Sequence, residues 1–247
     1  MKNLIKKILA RYGYKIAITS KRGYPDFDEQ FWDIYWRAKD FSLTTIERMY
    51  ALYQATNYVV ANNIEGAIVE CGVWKGGSVM ISAATLKMLN AQREIYLYDT
   101  FEGMSEPTEK DVTFRDESAY KNWDKIKSSN SIILCYSTLD EVKKNVLSSG
   151  YSSEKFHFIK GKVEDTIPLN IPDNISILRL DTDWYASTYH ELKHLFSRVV
   201  KNGVIIIDDY GYWKGAREAV DQFFKEINLK PLLHRIDHTG RIIIKTT

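Results

Sequence analysis

Two short segments of the 247-residue chain concentrate carboxylates: Leu180-Asp-Thr-Asp-Trp-Tyr185 and Ile207-Asp-Asp-Tyr210. Each follows an apolar run, Ile175–Leu180 and Gly203–Ile207, that reads as a buried strand. If those strands are neighbours, four acids meet at one sheet edge. Converging carboxylates repel one another and require a cation or protons. An all-oxygen donor set suits a hard ion such as Mg²⁺, Ca²⁺ or Mn²⁺. Asp181, Asp208 and Asp209 could hold it, with Asp183 beside the ion rather than on it. The plainer alternative is helix N-capping by Asp, which needs one acid per loop rather than two.

A second constellation is Glu70-Cys-Gly-Val-Trp-Lys-Gly-Gly-Ser78. A strand runs into a glycine-rich turn and then a helix. Gly72, Gly76 and Gly77 would let a ligand approach the backbone. The spacing is neither the G-x-G-x-x-G dinucleotide fingerprint nor a P-loop. An acid before the turn repels a pyrophosphate but suits a cationic ligand. S-adenosylmethionine, with its sulfonium and ammonium, fits better than NAD. Asp99 ends the next strand, where an acid takes ribose hydroxyls in nucleotide-binding folds. The alternative is a tight turn with no ligand.

His190-Glu-Leu-Lys-His194 matches the zinc-protease pattern H-E-x-x-H, with Glu218 as a conceivable third ligand. Three fixed positions arise readily by chance, and Leu192, Leu195 and Phe196 suit burial of that helix against a sheet. His157 falls within a strand pattern and reads as structural; His238, near a turn, could touch a substrate. No Cys/His nucleophile arrangement is evident, and Cys71 reads as packing in the turn.

These residues need a sheet to carry them. From Ala67 onward, apolar runs (Ala67–Cys71, Ile95–Asp99, Phe156–Lys160, Ile175–Leu180, Gly203–Asp208) alternate with helical patterns at about Ser78–Leu89, from Thr138, and over Ser187–Val199 and Ala216–Ile227. Such alternation predicts an α/β fold, a mostly parallel Rossmann-like sheet with helices on both faces. Leu232–Ile236 and Arg241–Lys245 predict a closing antiparallel hairpin around Gly240. Ligands of such sheets bind beyond the carboxyl ends of the strands, where Glu70, Asp99, Asp181 and Asp208 fall. Residues 1–62 read as a helical, aromatic-rich N-terminal lid, with helices over Asp28–Asp40 and Thr44–Asn62, and 63–247 as the ligand-binding domain. The lid's aromatics would exclude water and offer flat faces to a ring. Thr100–Ser137 is long, polar and poorly periodic, as a functional lid or binding loop would be.

Composition excludes other classes. With 34 Lys+Arg against 32 Asp+Glu the net charge is +2, without the concentrated positive footprint of a nucleic-acid binder. Two cysteines fit a reduced, cytoplasmic compartment. No run approaches the ~18–20 apolar residues of a membrane span, so no stable membrane insertion is expected. The N-terminus, with Lys6 and Lys7, predicts a short basic amphipathic helix rather than a signal peptide.

Val69-Glu-Cys-Gly-Val-Trp-Lys-Gly-Gly-Ser78, Tyr98-Asp-Thr-Phe-Glu-Gly-Met104, Leu178-Arg-Leu-Asp-Thr-Asp-Trp-Tyr185 and Ile206-Ile-Asp-Asp-Tyr-Gly211 together resemble the macrocin O-methyltransferase (TylF-like) family, as does the helical Phe41–Asn62 region with Glu47-Arg48-Met-Tyr50. The resemblance covers roughly residues 25–245. It implies a seven-stranded class I methyltransferase fold and a divalent-metal-dependent O-methyltransferase, taking Mg²⁺ or another hard divalent cation, that uses S-adenosylmethionine on sugar hydroxyls of natural-product glycosides or surface-polysaccharide precursors. The metal ligands would be Asp181, Asp208 and Asp209, and the general base Asp183. The cofactor would be held by Glu70, Cys71, Gly72, Val73, Trp74, Gly77 and Ser78 of the turn, by Asp99, Thr100 and Phe101, and by Gly161 and Asp181. A homodimer is the assembly it implies. Many relatives have Gly where this chain has Thr182, but the flanking acids are kept. A catechol-type phenol O-methyltransferase, sharing the metal logic, and a cofactor-binding module without catalysis are the competing readings.

Overall fold

Five strands alternate with helices to make the body of the molecule, in a computed structural model that describes residues 23–128 and 135–246. The strands are β1 (Ala67–Cys71), β2 (Ile95–Asp99), β3 (Phe156–Lys160), β4 (Ile175–Leu180) and β5 (Val199–Ile207), closed by β6 (His234–Arg235) and β7 (Arg241–Ile244). They form one seven-stranded sheet of order β3-β2-β1-β4-β5-β7-β6. The first five are mutually parallel, and β7 runs antiparallel to both β5 and β6. This is the class I methyltransferase fold.

Side chains alternate across the sheet with period two. Ile68, Leu97, Ile177, Val204 and Ile206 face one apolar cluster; Val69, Tyr98, Leu178, Ile205 and Ile207 face the other. The first face is covered by α1 (Glu29–Ala38), α2 (Ile46–Ala61), α3 (Gly77–Met88) and α5 (Leu139–Leu147); α4 (Ala119–Ser128) lies outside both clusters. The second is covered by α6 (Val163–Thr166), α7 (Tyr185–Leu195) and α8 (Lys214–Glu226). The Thr45 hydroxyl accepts from the Arg48 N–H at the start of α2, and Thr138 likewise caps α5 through the Glu141 N–H.

Two expectations change. Among the described residues 23–62, the aromatics other than Phe41 do not line the cavity described below. Phe31, Trp32, Tyr35 and Tyr53 are buried in the same cluster as Ile68 and Ile206, and Phe27 stacks on Tyr50 at 3.7 Å between ring centres. Burying such rings against the sheet is worth more than leaving them wet at a cleft. Nor is Thr100–Ser137 without periodic structure. It contains α4, whose Ala119 and Trp123, one turn apart, are buried. The buried Asp111 accepts from Thr108 N–H and hydroxyl and from the Tyr185 N–H at the start of α7, which ties this segment to the domain. The basic N-terminal helix lies outside the described residues. Among the described residues no helix is long and apolar enough to cross a membrane.

Candidate active site

Parallel pairing brings the acids together. Leu180 at the end of β4 registers with Ile207 at the end of β5, and the Asp208 N–H donates to the Leu180 carbonyl at 2.9 Å. Asp181 and Asp208 therefore leave adjacent strands side by side. One oxygen each from Asp181, Asp208 and Asp209 lie within 4.8 Å of one another, the one such three-ligand group among the described residues. Asp209 Oδ2 is buried and has no hydrogen-bond partner. A buried carboxylate oxygen without a donor is costly, and a hard cation at this point would satisfy it. The donor set fits such an ion.

Burial raises the Asp181 carboxyl well above its usual range against the pull of Arg179, and the neighbouring Asp208 and Asp209 add to the rise. Asp209 is raised by burial and by Asp183 and Asp208. Asp183 sits in a left-handed backbone conformation (φ 65°) that Asp tolerates better than most residues. Its Oδ1 accepts from the Trp213 indole N–H at 2.7 Å. Burial, then the charge on Asp181, push its pKa up to about 7, with the indole bond opposing. That is a suitable range for a base working near neutrality.

The acids sit at the floor of a cavity of about 460 Å³, the size of a small-molecule site. Gly72, Val73, Trp74, Ser78, Asp99, Thr100, Gly161, Asp181, Asp183, Asp208 and Asp209 all line it. Glu70, Cys71, Gly77 and Phe101 do not. Glu70, expected to face a cationic cofactor, is 2% exposed beneath the turn, and its Oε1 accepts from Arg179 Nη1 at 2.9 Å. Burial pushes it up to about 7 while Arg179 pulls back. Cys71 is fully buried in the apolar cluster, and burial raises its thiol. The glycines serve packing as much as any ligand. A side chain at Gly72 would strike the Asp181 carbonyl, and one at Gly77 would meet the Phe41 backbone at 2.6 Å. Asp99 holds the turn itself, with Oδ2 accepting from Val73 and Trp74 N–H at 2.7 and 3.1 Å and Oδ1 from Phe101 N–H at 2.8 Å.

Two arginines complete the site and were not among the expected residues. Arg179, 3% exposed and next to last in β4, reaches Glu70, Asp181 and Asp208 at 2.9, 2.7 and 2.7 Å. Burial opposes its charge, but the three acids outweigh this and raise its pKa well above the usual value. Arg48, from the first turn of α2, pairs with Asp208 Oδ2 and lies 3.0 Å from Asp237. Phe41, Ser42, Leu43, Thr44, Cys135, Trp184, Tyr212, His238 and Thr239 also line the cavity. Phe41 is the one aromatic from residues 23–62 to do so. Thr182, in place of a glycine, donates to the buried Glu191 at 2.9 Å.

The histidine pair carries no comparable site. His190 Nε2 bonds the Ile167 carbonyl at 2.9 Å, and Glu218 pairs with Lys110 at 2.6 Å. His157 pairs with Glu94 and stacks on Tyr96.

Residues 6–245 match the family model for macrocin-O-methyltransferase (TylF). The chain belongs to this family. It is thus an O-methyltransferase. A demethyldecarbamoylnovobiocin O-methyltransferase of Streptomyces niveus is 28% identical over 206 residues, covering 83% of this chain and 76% of the relative. An 8-demethyl-8-(2,3-dimethoxy-alpha-L-rhamnosyl)-tetracenomycin-C 4'-O-methyltransferase of Streptomyces olivaceus is 28% identical over 242 residues, covering 96% and 89%. The solved O-methyltransferase NovP superposes with a TM-score of 0.73 at 27% identity over 84% of this chain and 83% of its own.

Proposed function

We propose that this TylF-family enzyme transfers a methyl group from S-adenosylmethionine to a hydroxyl of a sugar moiety in a glycoside, with Asp181, Asp208 and Asp209 holding a hard divalent cation such as Mg²⁺ and Asp183 acting as general base. The observation that carries this reading is the orphaned Asp209 oxygen within the three-aspartate group, beside an Asp183 already fixed by Trp213. The rhamnosyl acceptor in the name of the Streptomyces olivaceus relative supports a sugar hydroxyl. When bound, the cation lowers the pKa of a hydroxyl and the cofactor supplies an electrophilic methyl group.

The chain's own residues do the rest. Asp99 fixes the Val73–Trp74 backbone and so shapes the cofactor side of the cavity, with Gly72, Ser78, Thr100 and Gly161 around it. Leu43, Thr44, Tyr212, His238 and Thr239 form the acceptor side. Trp213 orients Asp183 so that Oδ2 takes the acceptor proton as the methyl group arrives. Orientation matters because an in-line transfer gains most from a near-attack geometry.

Asp183→Asn tests the assignment. Turnover should be abolished while S-adenosylhomocysteine still binds by calorimetry, and EDTA should stop the wild-type reaction until Mg²⁺ is restored. Normal turnover by the variant sinks the base assignment; metal-independent turnover sinks the cation.

A further inference from the structure

Asp208 has both carboxylate oxygens engaged by guanidinium groups. Oδ1 accepts from Arg179 Nη2 at 2.7 Å, and Oδ2 accepts from Arg48 Nη1. Arg179 is locked in the strand by three acids. Arg48 is different: it lies at the cavity wall, it comes from the first turn of α2, and it has a second carboxylate within reach. Its Nε is 3.0 Å from Asp237 Oδ2. Asp237 is itself fixed in the β6–β7 turn, accepting from Thr45 hydroxyl at 2.7 Å and from Thr239 and Gly240 N–H at 2.8 and 2.6 Å.

A dication ligated by Asp181, Asp208 and Asp209 needs an Asp208 oxygen, and a guanidinium bonded to that carboxylate competes with it for position and charge. We propose that Arg48 is a resident counter-cation of the three-aspartate site. It neutralises Asp208 when the metal is absent, yields that carboxylate when the metal arrives, and is then kept by Asp237. This rests on the metal reading above and adds to it a determinant of metal affinity. The consequence is local: Arg48, Leu43 and Thr44 share the cavity wall, so metal arrival and the acceptor side are linked through the start of α2.

Mn²⁺ titration of the full-length protein, followed by the EPR signal of free Mn²⁺, tests this without turnover. Arg48→Met and Arg48→Gln should each tighten Mn²⁺ binding about tenfold or more, the scale of one close charge removed from a shielded site. Arg48→Lys, which keeps the charge, should bind within about threefold of wild type. Asp237→Asn should weaken binding, because Arg48 then has Asp208 alone; in the Arg48→Met background the same change should have little effect. A purely structural role would not move the two single variants in opposite directions. The proposal is overturned if Arg48→Met and Arg48→Gln bind Mn²⁺ no tighter than wild type, or if Asp237→Asn acts equally in both backgrounds. If neither wild type nor the Arg48 variants take up Mn²⁺, or if Asp209→Asn leaves uptake unchanged, the three-aspartate metal reading fails and this inference falls with it.

Discussion

Arg179→Met is the sharpest test of how the site is held. The guanidinium bonds Glu70, Asp181 and Asp208, and Arg179 and Glu70 are both almost fully buried. Met retains the length and the apolar stem but leaves three carboxylates without their shared partner. Removing one member of a buried ion pair costs about 3–5 kcal/mol. At about 2–4 °C per kcal/mol for a chain of this size, Tm should fall by roughly 6–20 °C. Two rescues separate electrostatics from packing. Glu70→Gln in the same background neutralises the deepest acid and should recover part of the loss. Millimolar Mg²⁺ should raise the Tm of Arg179→Met more than that of wild type, because it replaces charge at Asp181 and Asp208. Scanning calorimetry, with denaturant titration as a second measure, reads all three. A Tm within about 2 °C of wild type, or a variant indifferent to Glu70→Gln, would refute the view that Arg179 is the electrostatic centre of the site.

Two further outcomes follow from the same structure. Burial opposes ionisation of Asp237, but Arg48, the Thr45 hydroxyl and the Gly240 and Thr239 N–H groups outweigh it and hold its pKa below the usual value. Its stabilising effect is therefore present above the ordinary carboxylate pKa and is lost as pH falls through the lowered one. Asp237→Asn should accordingly lower Tm at neutral pH, with the gap to wild type closing below about pH 4; a gap that stays constant with pH would contradict the ion-pair account. His190→Ala/His194→Ala should leave methyl transfer within about threefold of wild type, and elemental analysis of the wild-type protein should find no stoichiometric zinc. Loss of activity on removing the pair would reopen the zinc reading.

Much of the fold was legible because it rests on local periodicity. The strands Ala67–Cys71, Ile95–Asp99, Phe156–Lys160 and Ile175–Leu180 fall where apolar β-rich runs predict them, and alternation with helices dictates parallel order. The grouping of the acids was legible for the same reason, since Asp181 and Asp208 directly follow the ends of β4 and β5 and Asp183 and Asp209 lie just beyond. What failed was inference from exposure. Aromatic density in the first sixty residues reads as a ligand surface, yet Phe31 and Trp32 complete the core. In Ala119–Ser128 the helix signal is two buried residues one turn apart among lysines, too sparse to stand out. Glu70 illustrates a further limit: its place before the glycine turn was read correctly, but its partner lies 109 residues away. Arg179 did carry a signal, because an arginine between Leu178 and Leu180 in a buried strand must meet counter-charge. Arg48 stood in the Glu47-Arg48-Met-Tyr50 stretch that resembles the family, but nothing in its spacing pointed to its partner Asp208, 160 residues distant.

Counting charge at the site explains why both absent groups suit it. Glu70, Asp181, Asp183, Asp208, Asp209 and Asp237 face Arg48 and Arg179, so if all ionise the site holds four negative charges in excess. Buried like charges of that number are unstable, and the raised pKa values of Glu70, Asp181, Asp183 and Asp209 are the response. A dication would remove two of the four. S-adenosylmethionine, with a sulfonium, an ammonium and a carboxylate, would remove a third. On the proposed mechanism, methyl transfer would discharge the sulfonium and release the acceptor's proton, and a proton kept on Asp183 would leave the net charge of the site as it was before the step. As the proposed base, Asp183 would do more than assist the hydroxyl: it would hold the charge of the site constant across the reaction, which a carboxyl raised to about 7 by burial and by the charge on Asp181 can do and an ordinary surface aspartate cannot.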